Sequence, residues 1–299
     1  MKIGVVGLGS MGYGIATSLL RAGHQVYGAD VNVAAVKRLR AEGGAQADTA
    51  SAAADLDALV VVVLNATQTE DVLFGSDGLV ARLSSGSVVI LCVTVAPDYA
   101  RSVDKRCTAS GIDFLDAPIS GGSVKAALGK LSVMASGSPE AFKKARPVLD
   151  AMAETVFELG DTAGAGSAMK AVNQMLAGIH IAAMAEAMTF GMTQGIAPET
   201  FMTVMPHCAG TSWMLENRAP HVVSGDYTPH SAVDIWPKDL GIVLAAARAS
   251  TFSAPITAAA LQQFLAASDM GLGREDDAAV AKVYARNAGL TLPEKNGRV

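Results

Sequence analysis

The sequence KIGVVGLGSMGYGIATSLL, residues 2–20, decides the fold of the first half of this chain. Its apolar beginning, Lys2–Val6, has the character of a β-strand, and its end, Tyr13–Leu20, has the character of a helix. Three glycines separate the two in the spacing GxGxxG. Strand, glycine loop and helix in immediate succession are typical of the first turn of a dinucleotide-binding βαβ unit.

Each of the three glycines of this loop is required for a separate physical reason. Gly7 permits the tight turn out of the strand, Gly9 lets a pyrophosphate approach the backbone, and Gly12 lets the helix pack closely. The helix that follows presents free N–H groups and a positive dipole end to the phosphates. The predicted cofactor loop comprises Gly7, Leu8, Gly9, Ser10, Met11 and Gly12.

An acidic residue follows the second strand, Gln25–Ala29, at the distance that this motif requires. The carboxylate of Asp30 is expected to accept hydrogen bonds from the ribose hydroxyls and to repel a 2′-phosphate. Val31 follows it, and no arginine stands there to hold such a phosphate. Lys37 and Arg38 come later and are better explained as solvated charges. The sequence therefore predicts NAD as the cofactor.

Strand-like and helix-like segments alternate through the first half, which predicts an α/β fold, a Rossmann-type doubly wound sheet. Unbroken apolar runs such as 59–64 are expected of strands buried on both faces. Further strands are predicted at 87–91, 112–115, 131–134 and 155–158, and helices near 33–42, 67–73, 97–109 and 139–151.

The pattern changes after the glycine-rich segment 160–166, and one long apolar helix is predicted from 167 to about 194. Five polar residues interrupt it, among them Lys170 and Glu186, so we interpret it as a core helix and not a membrane span. Residues 1–163 are predicted to form the NAD-binding domain and 164–299 an all-α domain. Such an apolar helix also suggests a partner subunit, hence a homodimer or homotetramer.

Composition narrows the function. A net charge of −5 and a pI near 5.5 argue against nucleic-acid binding through a basic face. The chain opens directly on its first strand, so we expect no secretory signal and a cytoplasmic location. Three scattered cysteines are expected to be buried small residues. Five histidines without ligand spacing give no reason to expect a metal site.

Residues that follow the strands are the candidates for chemistry, because this fold binds ligands at the carboxyl ends of its strands. The most unusual of these segments is Asp116–Gly122, DAPISGG. The pair Gly121 and Gly122 leaves backbone N–H groups free to meet an anion, and Ser120 adds a hydroxyl. A substrate carboxylate would fit this segment, and a purely structural turn explains it equally well.

Lys170 is the second candidate, in the expected first turn of the long helix, with Asn173 and Gln174 on the same face. Burial and a nearby nicotinamide cation are expected to lower the pKa of its amine, which could then act as a general base. A lysine that reaches solvent is the alternative. Lys238 with Asp239 is a third candidate, better explained as a solvated lysine beside a helix-capping carboxylate.

Four segments in this order resemble the β-hydroxyacid dehydrogenases, the group that contains 3-hydroxyisobutyrate dehydrogenase and tartronate semialdehyde reductase. The segments are GLGSMG at 7–12, DAPISGG at 116–122, GSAMKAVNQ at 166–174 and KDL at 238–240. The resemblance runs from residue 1 to about 290. The chain departs from it at Gln174, where a second asparagine is usual, at Pro237, and at Asn65, where a proline is usual.

The resemblance implies a role for each segment. Lys170 is the catalytic acid/base, and Asn173 helps to hold the substrate and the lysine. The substrate carboxylate binds at Ser120, Gly121 and Gly122, with Gln174 near the substrate. The cofactor residues implied are the glycine loop, Asp30, Val31, Leu64, Asn65, Thr94 and Lys238.

Segments 211–218 and 225–229 resemble the branch of the family that oxidises the C2 hydroxyl of a four-carbon sugar acid, L-threonate, with NAD. Trp213, Asn217, Arg218 and His230 are polar side chains that could contact such a substrate. Three alternatives stay open: 3-hydroxyisobutyrate or tartronate semialdehyde as substrate, imine reduction on the same architecture, and a non-catalytic nucleotide-dependent reader.

Overall fold

The computed structural model describes residues 1–295, which form two compact units, Met1–Lys170 and a second that begins at Ala171. The division falls inside one continuous helix. The domain boundary inferred from composition, between 163 and 164, stays a prediction.

The first unit is a Rossmann-type mixed sheet with helices, which confirms the predicted fold class. Strands β2, β1, β3, β4 and β5 lie side by side in that order and are all parallel. The strands are β1 Lys2–Val6, β2 Gln25–Ala29, β3 Ala58–Val61, β4 Val88–Leu91, β5 Asp113–Asp116, β6 Ile119–Ser120, β7 Leu131–Gly137 and β8 Ala153–Glu158. The helices are α1 Gly12–Arg21, α2 Val33–Ala41, α3 Ala66–Phe74, α4 Pro97–Ala109, α5 Gly122–Leu128 and α6 Pro139–Met152.

Alternate residues of the central strands enter two different cores. Val60 and Ile90 lie in the core shared with α1 and α6, whereas Val61 and Leu91 lie in the core shared with α3 and α4. All four side chains are fully buried. Strands covered on both faces account for the unbroken apolar runs in the sequence.

The far edge of the sheet departs from a purely parallel arrangement. Strands β5 and β6 both pair with β7 in the antiparallel direction and in one continuous register, which Ala117 and Pro118 interrupt. The Met134 N–H still donates to the Pro118 carbonyl at 2.9 Å across that gap. The chain from Leu115 to Ser120 therefore runs along β7 in one register.

Helix α5, which the sequence did not predict, packs against α1 at unusually close range. A Cβ atom added at Gly14 would lie 2.6 Å from the Ala127 nitrogen, so only glycine allows this approach. The Ser18 hydroxyl donates to the Ala126 carbonyl at 2.9 Å. The cofactor helix thus supports the helix that begins at Gly122.

The second unit is helical, as expected. Helix α7, Ala165–Thr193, enters it from the first unit, and its further helices are α8 Pro198–Val204, α9 Trp213–Ser224, α10 Ile235–Ala249, α11 Pro255–Ala267 and α12 Ala281–Ala288. Its core contains Trp236 and Phe264, whose rings stack with centroids 5.5 Å apart. Residues 296–299 lie outside the described residues.

Helix α7 begins two residues before the predicted start and is only partly buried. Its length and apolar composition would allow it to cross a membrane, but core helices of soluble proteins have the same two properties. Within its most apolar window, 44% of the helix is buried inside the protein. It is a core helix along only part of its surface, because Val172 and Phe190 are 52% and 65% exposed. A partner subunit that covers these residues stays a prediction.

A buried charged cluster ties the second unit together. The guanidinium of Arg218, 7% exposed, pairs with the carboxylate of Asp277, which also accepts a hydrogen bond from the Trp236 indole at 2.9 Å. His221 Nδ1 lies 2.8 Å from Asp276. Arg218 is therefore committed to a structural ion pair, which speaks against the expected contact with substrate.

Cys208 is exposed, so the prediction of three buried cysteines is wrong for that residue.

Candidate active site

The glycine loop lies at the carboxyl end of β1, where its backbone makes the expected tight turn. Gly7 has φ +93°, in the region that favours glycine, and its N–H donates to the Ala29 carbonyl at 2.9 Å. A Cβ atom at Gly12 would lie 1.8 Å from the Gly7 carbonyl oxygen. Gly12 therefore allows α1 to begin directly against the turn that precedes it.

Asp30 joins the end of β2 to this loop. One of its carboxylate oxygens accepts a hydrogen bond from the Leu8 N–H at 2.5 Å, and the other accepts one from the Asn32 N–H at 2.6 Å. Each oxygen can accept further hydrogen bonds, so the ribose hydroxyls still have acceptors there. Val31 beside it is fully exposed, and Arg38 lies over the Tyr13 ring at 3.4 Å from its centroid.

The residues of the loop fit a dinucleotide. No atom lies within 4 Å of the position that a Cβ atom of Gly9 would take, so a phosphate can approach the backbone there. Helix α1 begins without a side-chain cap, so its first N–H groups can serve a phosphate.

The other predicted cofactor residues follow β3 and β4 at the same edge of the sheet. Leu64 is exposed, and Thr94 is half-buried after β4. The Asn65 side chain accepts a hydrogen bond from the Gln68 N–H at 2.9 Å and caps α3. Strand β3 ends at Val61, three residues before the predicted end.

Lys170 and the predicted anion-binding segment lie together in the first unit. Lys170 is 8% exposed, and its Nζ donates a hydrogen bond to the Ile119 carbonyl at 2.8 Å. Ile119 directly precedes Ser120, and Gly121 and Gly122 have φ of +132° and +76°. Lys170 is the sixth residue of α7, so the expected place in the first turn is wrong by one turn.

Asp116, at the start of the same segment, does not belong to the predicted anion site. Its fully buried carboxylate accepts hydrogen bonds from the Gly164 N–H at 2.9 Å and from the N–H and hydroxyl of Ser167 at 2.8 and 2.7 Å. Burial raises its pKa, although these hydrogen bonds oppose the shift. Asp116 therefore holds the beginning of α7, and with it Lys170, against β5.

Two buried thiols near this sheet are not suited to nucleophilic chemistry. Burial, with the Asp116 charge, raises the pKa of Cys92 to about 12. Burial, with the Asp104 charge, raises the pKa of Cys107 to about 12. Both thiols therefore stay protonated at neutral pH.

A cluster of hydrogen-bonded polar side chains lies within the helical unit and brings together three predicted site residues. Asn173 Nδ2 donates to Gln174 Oε1 at 2.9 Å, and Gln174 Nε2 donates to Asp239 Oδ2 at 2.5 Å. Lys238 Nζ lies 2.5 Å from the other Asp239 oxygen. Asp239, expected only to cap a helix, joins this cluster through both of its carboxylate oxygens.

The expected capping role of Asp239 is wrong. Helix α10 begins at Ile235, so Asp239 lies inside the helix, 2% exposed, and Lys238 is its ion-pair partner instead of a solvated charge. Pro237 falls in the first turn, where a backbone N–H has no partner within the helix. Among residues 1–295, no three His, Cys, Asp or Glu side chains gather as a metal site.

Comparison with protein families supports the class that this geometry indicates. Residues 2–160 match the NAD-binding domain of 6-phosphogluconate dehydrogenase, and residues 164–284 match the family described as NAD-binding of NADP-dependent 3-hydroxyisobutyrate dehydrogenase. Together with the glycine loop and Asp30, these matches define an NAD-dependent oxidoreductase.

Similar proteins narrow the class further. The chain is 48% identical to L-threonate dehydrogenase of Cupriavidus necator, over 98% of both chains. It is 39% identical to 3-hydroxyisobutyrate dehydrogenase of Pseudomonas aeruginosa, over 88% of this chain and 90% of that one. A crystal structure of 3-hydroxyisobutyrate dehydrogenase from Salmonella typhimurium superposes with a TM-score of 0.90 at 49% identity, covering 95% and 99% of the two chains.

The chain belongs to the β-hydroxyacid dehydrogenase family. It is an NAD-dependent hydroxyacid dehydrogenase, as the resemblance implied. The alternative of a non-catalytic reader is therefore wrong.

Proposed function

We propose that this dehydrogenase oxidises the C2 hydroxyl of L-threonate to the 2-oxo acid, with Lys170 as the general acid/base. The relative from Cupriavidus necator, similar along nearly its whole length, carries the name of that activity. The alternative substrate is 3-hydroxyisobutyrate, the substrate named for the superposed Salmonella structure.

The observation that carries the proposal is the position of the Lys170 amine. A nearly buried lysine that donates to the carbonyl of Ile119 lies directly beside Ser120, Gly121 and Gly122. The backbone N–H groups of such a glycine pair can bind a carboxylate. An acid bound there would bring its own hydroxyl close to the amine.

The proton transfer follows from that arrangement. When bound, NAD supplies the acceptor for the hydride that leaves C2. Neutral Lys170 accepts the proton of the C2 hydroxyl as that C–H bond breaks, so the alcohol loses one proton and one hydride and becomes a ketone. The resulting ammonium stabilises the forming carbonyl oxygen, and in the reverse direction it returns the proton.

The remaining site residues have supporting roles in this proposal. Asn173 lies one helical turn after Lys170 and holds the substrate, with Gln174 behind it. Lys238 serves the cofactor. The large exposed apolar side chains of α7 support a homodimer or homotetramer, which sedimentation velocity would test.

Steady-state kinetics test the substrate: L-threonate and 3-hydroxyisobutyrate are oxidised with NAD and followed by the formation of NADH, and tartronate semialdehyde is reduced with NADH and followed by its consumption. Highest kcat/KM for L-threonate is the expected result. L-Threonate deuterated at C2 should react more slowly than L-threonate deuterated at C3, because only the C2–H bond breaks. A preference for 3-hydroxyisobutyrate would overturn the substrate assignment.

Lys170→Ala tests the base. Its kcat should fall by about 100-fold or more, the usual contribution of a general acid/base, while the Kd for NAD stays within about twofold. Lys105→Ala removes an exposed lysine on α4 and serves as the matched control. Turnover by Lys170→Ala at the rate of that control would refute the mechanism.

A further inference from the structure

The amide of Gln174 can take only one orientation in the network of the helical unit. The side chain of Asp239 carries an ion pair with Lys238 at 2.5 Å, which is the behaviour of a carboxylate. A carboxylate accepts hydrogen bonds and cannot donate them. The group that Gln174 turns toward Asp239 is therefore its NH₂, at 2.5 Å, and its carbonyl oxygen faces the opposite way.

The orientation of Gln174 decides that of Asn173. Because Gln174 presents an oxygen, Asn173 must present its NH₂ to it, as it does at 2.9 Å. An isolated asparagine amide can turn by 180° and exchange donor for acceptor. Here the charge two links away removes that freedom and leaves the Asn173 Oδ1 as the atom that remains for a ligand.

We propose that Asp239 is a positioning residue that acts through Gln174 to present the Asn173 oxygen as a hydrogen-bond acceptor to a substrate hydroxyl. This inference rests on the proposed substrate role of Asn173. A fixed acceptor favours substrates that carry a hydroxyl at that place, which suits a polyhydroxylated acid. It also gives Asp239 a role beyond its ion pair with Lys238.

Burial makes a lost hydrogen bond of this network difficult to replace. Asp239 and Gln174 are 2% and 8% exposed, so water cannot readily replace a lost partner. A misoriented amide would place two donors or two acceptors against each other, which is costly in a buried site. The orientation therefore persists as long as residue 239 accepts hydrogen bonds and residue 174 presents an oxygen to Asn173.

Asp239→Asn tests the inference, because an amide at 239 can donate or accept and no longer fixes Gln174. We expect kcat/KM for L-threonate to fall by about tenfold or more, with the Kd for NAD and the unfolding temperature close to wild type. A purely structural role would instead lower stability and NAD affinity in parallel with kcat/KM. Asp269→Asn, the same change at an exposed site, is the matched control.

The double variant Gln174→Glu with Asp239→Asn supplies the decisive comparison. It moves the carboxylate to position 174, where one oxygen accepts from the new amide at position 239 and the other accepts from Asn173, so the orientation of Asn173 is restored. We expect kcat/KM to return to within about threefold of wild type. If the Asp239 carboxylate served only Lys238, the double variant would stay as impaired as Asp239→Asn, and the inference would be overturned.

If Asp239→Asn alone does not fold, the double variant carries the test, and its failure to fold or to turn over overturns the inference. Lys170→Ala measured in parallel separates the two proposals: an inactive Lys170→Ala beside a fully active Asp239→Asn overturns this inference alone. A fully active Lys170→Ala overturns the proposed function whatever Asp239→Asn does.

Discussion

Gly9→Ala should separate cofactor binding from folding. A Cβ atom at this position meets no atom within 4 Å, and the backbone there does not need a positive φ. The unbound protein should therefore tolerate alanine, with a gain of about 0.4–1 kcal/mol because the unfolded chain loses freedom. The methyl group would instead occupy space beside the backbone that we assign to the pyrophosphate.

The expected loss of affinity follows from the hydrogen bonds displaced. A backbone N–H bond to a charged group contributes about 1.5–3 kcal/mol, and loss of one such bond weakens binding about 10- to 150-fold. Isothermal titration calorimetry with NAD measures this change, and thermal unfolding without NAD measures stability.

Two other glycines provide the controls. Gly12→Ala places a Cβ atom 1.8 Å from the Gly7 carbonyl oxygen, so it should lose about 1–3 kcal/mol of stability or more even without cofactor. Gly191→Ala, on α7, meets only Ile196 at ordinary contact distance, 3.7 Å, and should leave NAD binding unchanged. If Gly9→Ala binds NAD within about twofold of wild type, the assignment of the pyrophosphate to this loop is refuted.

Two more predictions concern carboxylates. Asp30→Ala should lower the preference for NAD over NADP by about tenfold, because the 2′-phosphate is no longer repelled. The ratio of kcat/KM with NAD to kcat/KM with NADP measures this preference, and an unchanged ratio would contradict the role of Asp30. Burial would raise the pKa of Asp276, but His221, two backbone N–H groups and Arg218 outweigh it and lower the pKa to about 2. Because the folded state favours the charged form, about 2 kcal/mol of stability should be present above pH 5 and lost as the pH falls toward 2. Urea unfolding at several pH values should show this loss in wild type but not in Asp276→Asn, and equal pH dependence of the two proteins would exclude it.

Local patterns predict most elements of the first unit. The helix at 97–109 and the first two strands occur at the predicted residues, because the apolar period and the flanking glycines are set within a few positions. Strand β6 and helix α5 escape prediction, since two and seven residues carry too little periodicity. The predicted start of α7 is wrong because its true anchor, Asp116, lies 51 positions before Ser167.

The residues of the candidate site likewise fall into those that local sequence predicts and those that it does not. The glycine loop and Asp30 could be found from the sequence, because strand, turn and helix impose their requirements on neighbouring residues. Lys170 could be found as a polar residue in an apolar helix, but its hydrogen bond to Ile119 could not. Asp239 looks like a helix cap in the sequence because no local signal distinguishes a cap from a buried carboxylate whose partner is Gln174.

The sequence by itself determined the cofactor loop, the class of fold and the family. The tertiary structure alone decided how α7 is anchored by Asp116, how Gly14 allows α5 to approach α1, and which way the Asn173 amide turns. The physical reason is the separation along the chain of the residues involved. The features determined by the sequence depend on backbone conformation and periodicity among near neighbours. Those decided by the tertiary structure depend on hydrogen bonds and contacts between residues 48 to 113 positions apart, which only the folded chain brings together.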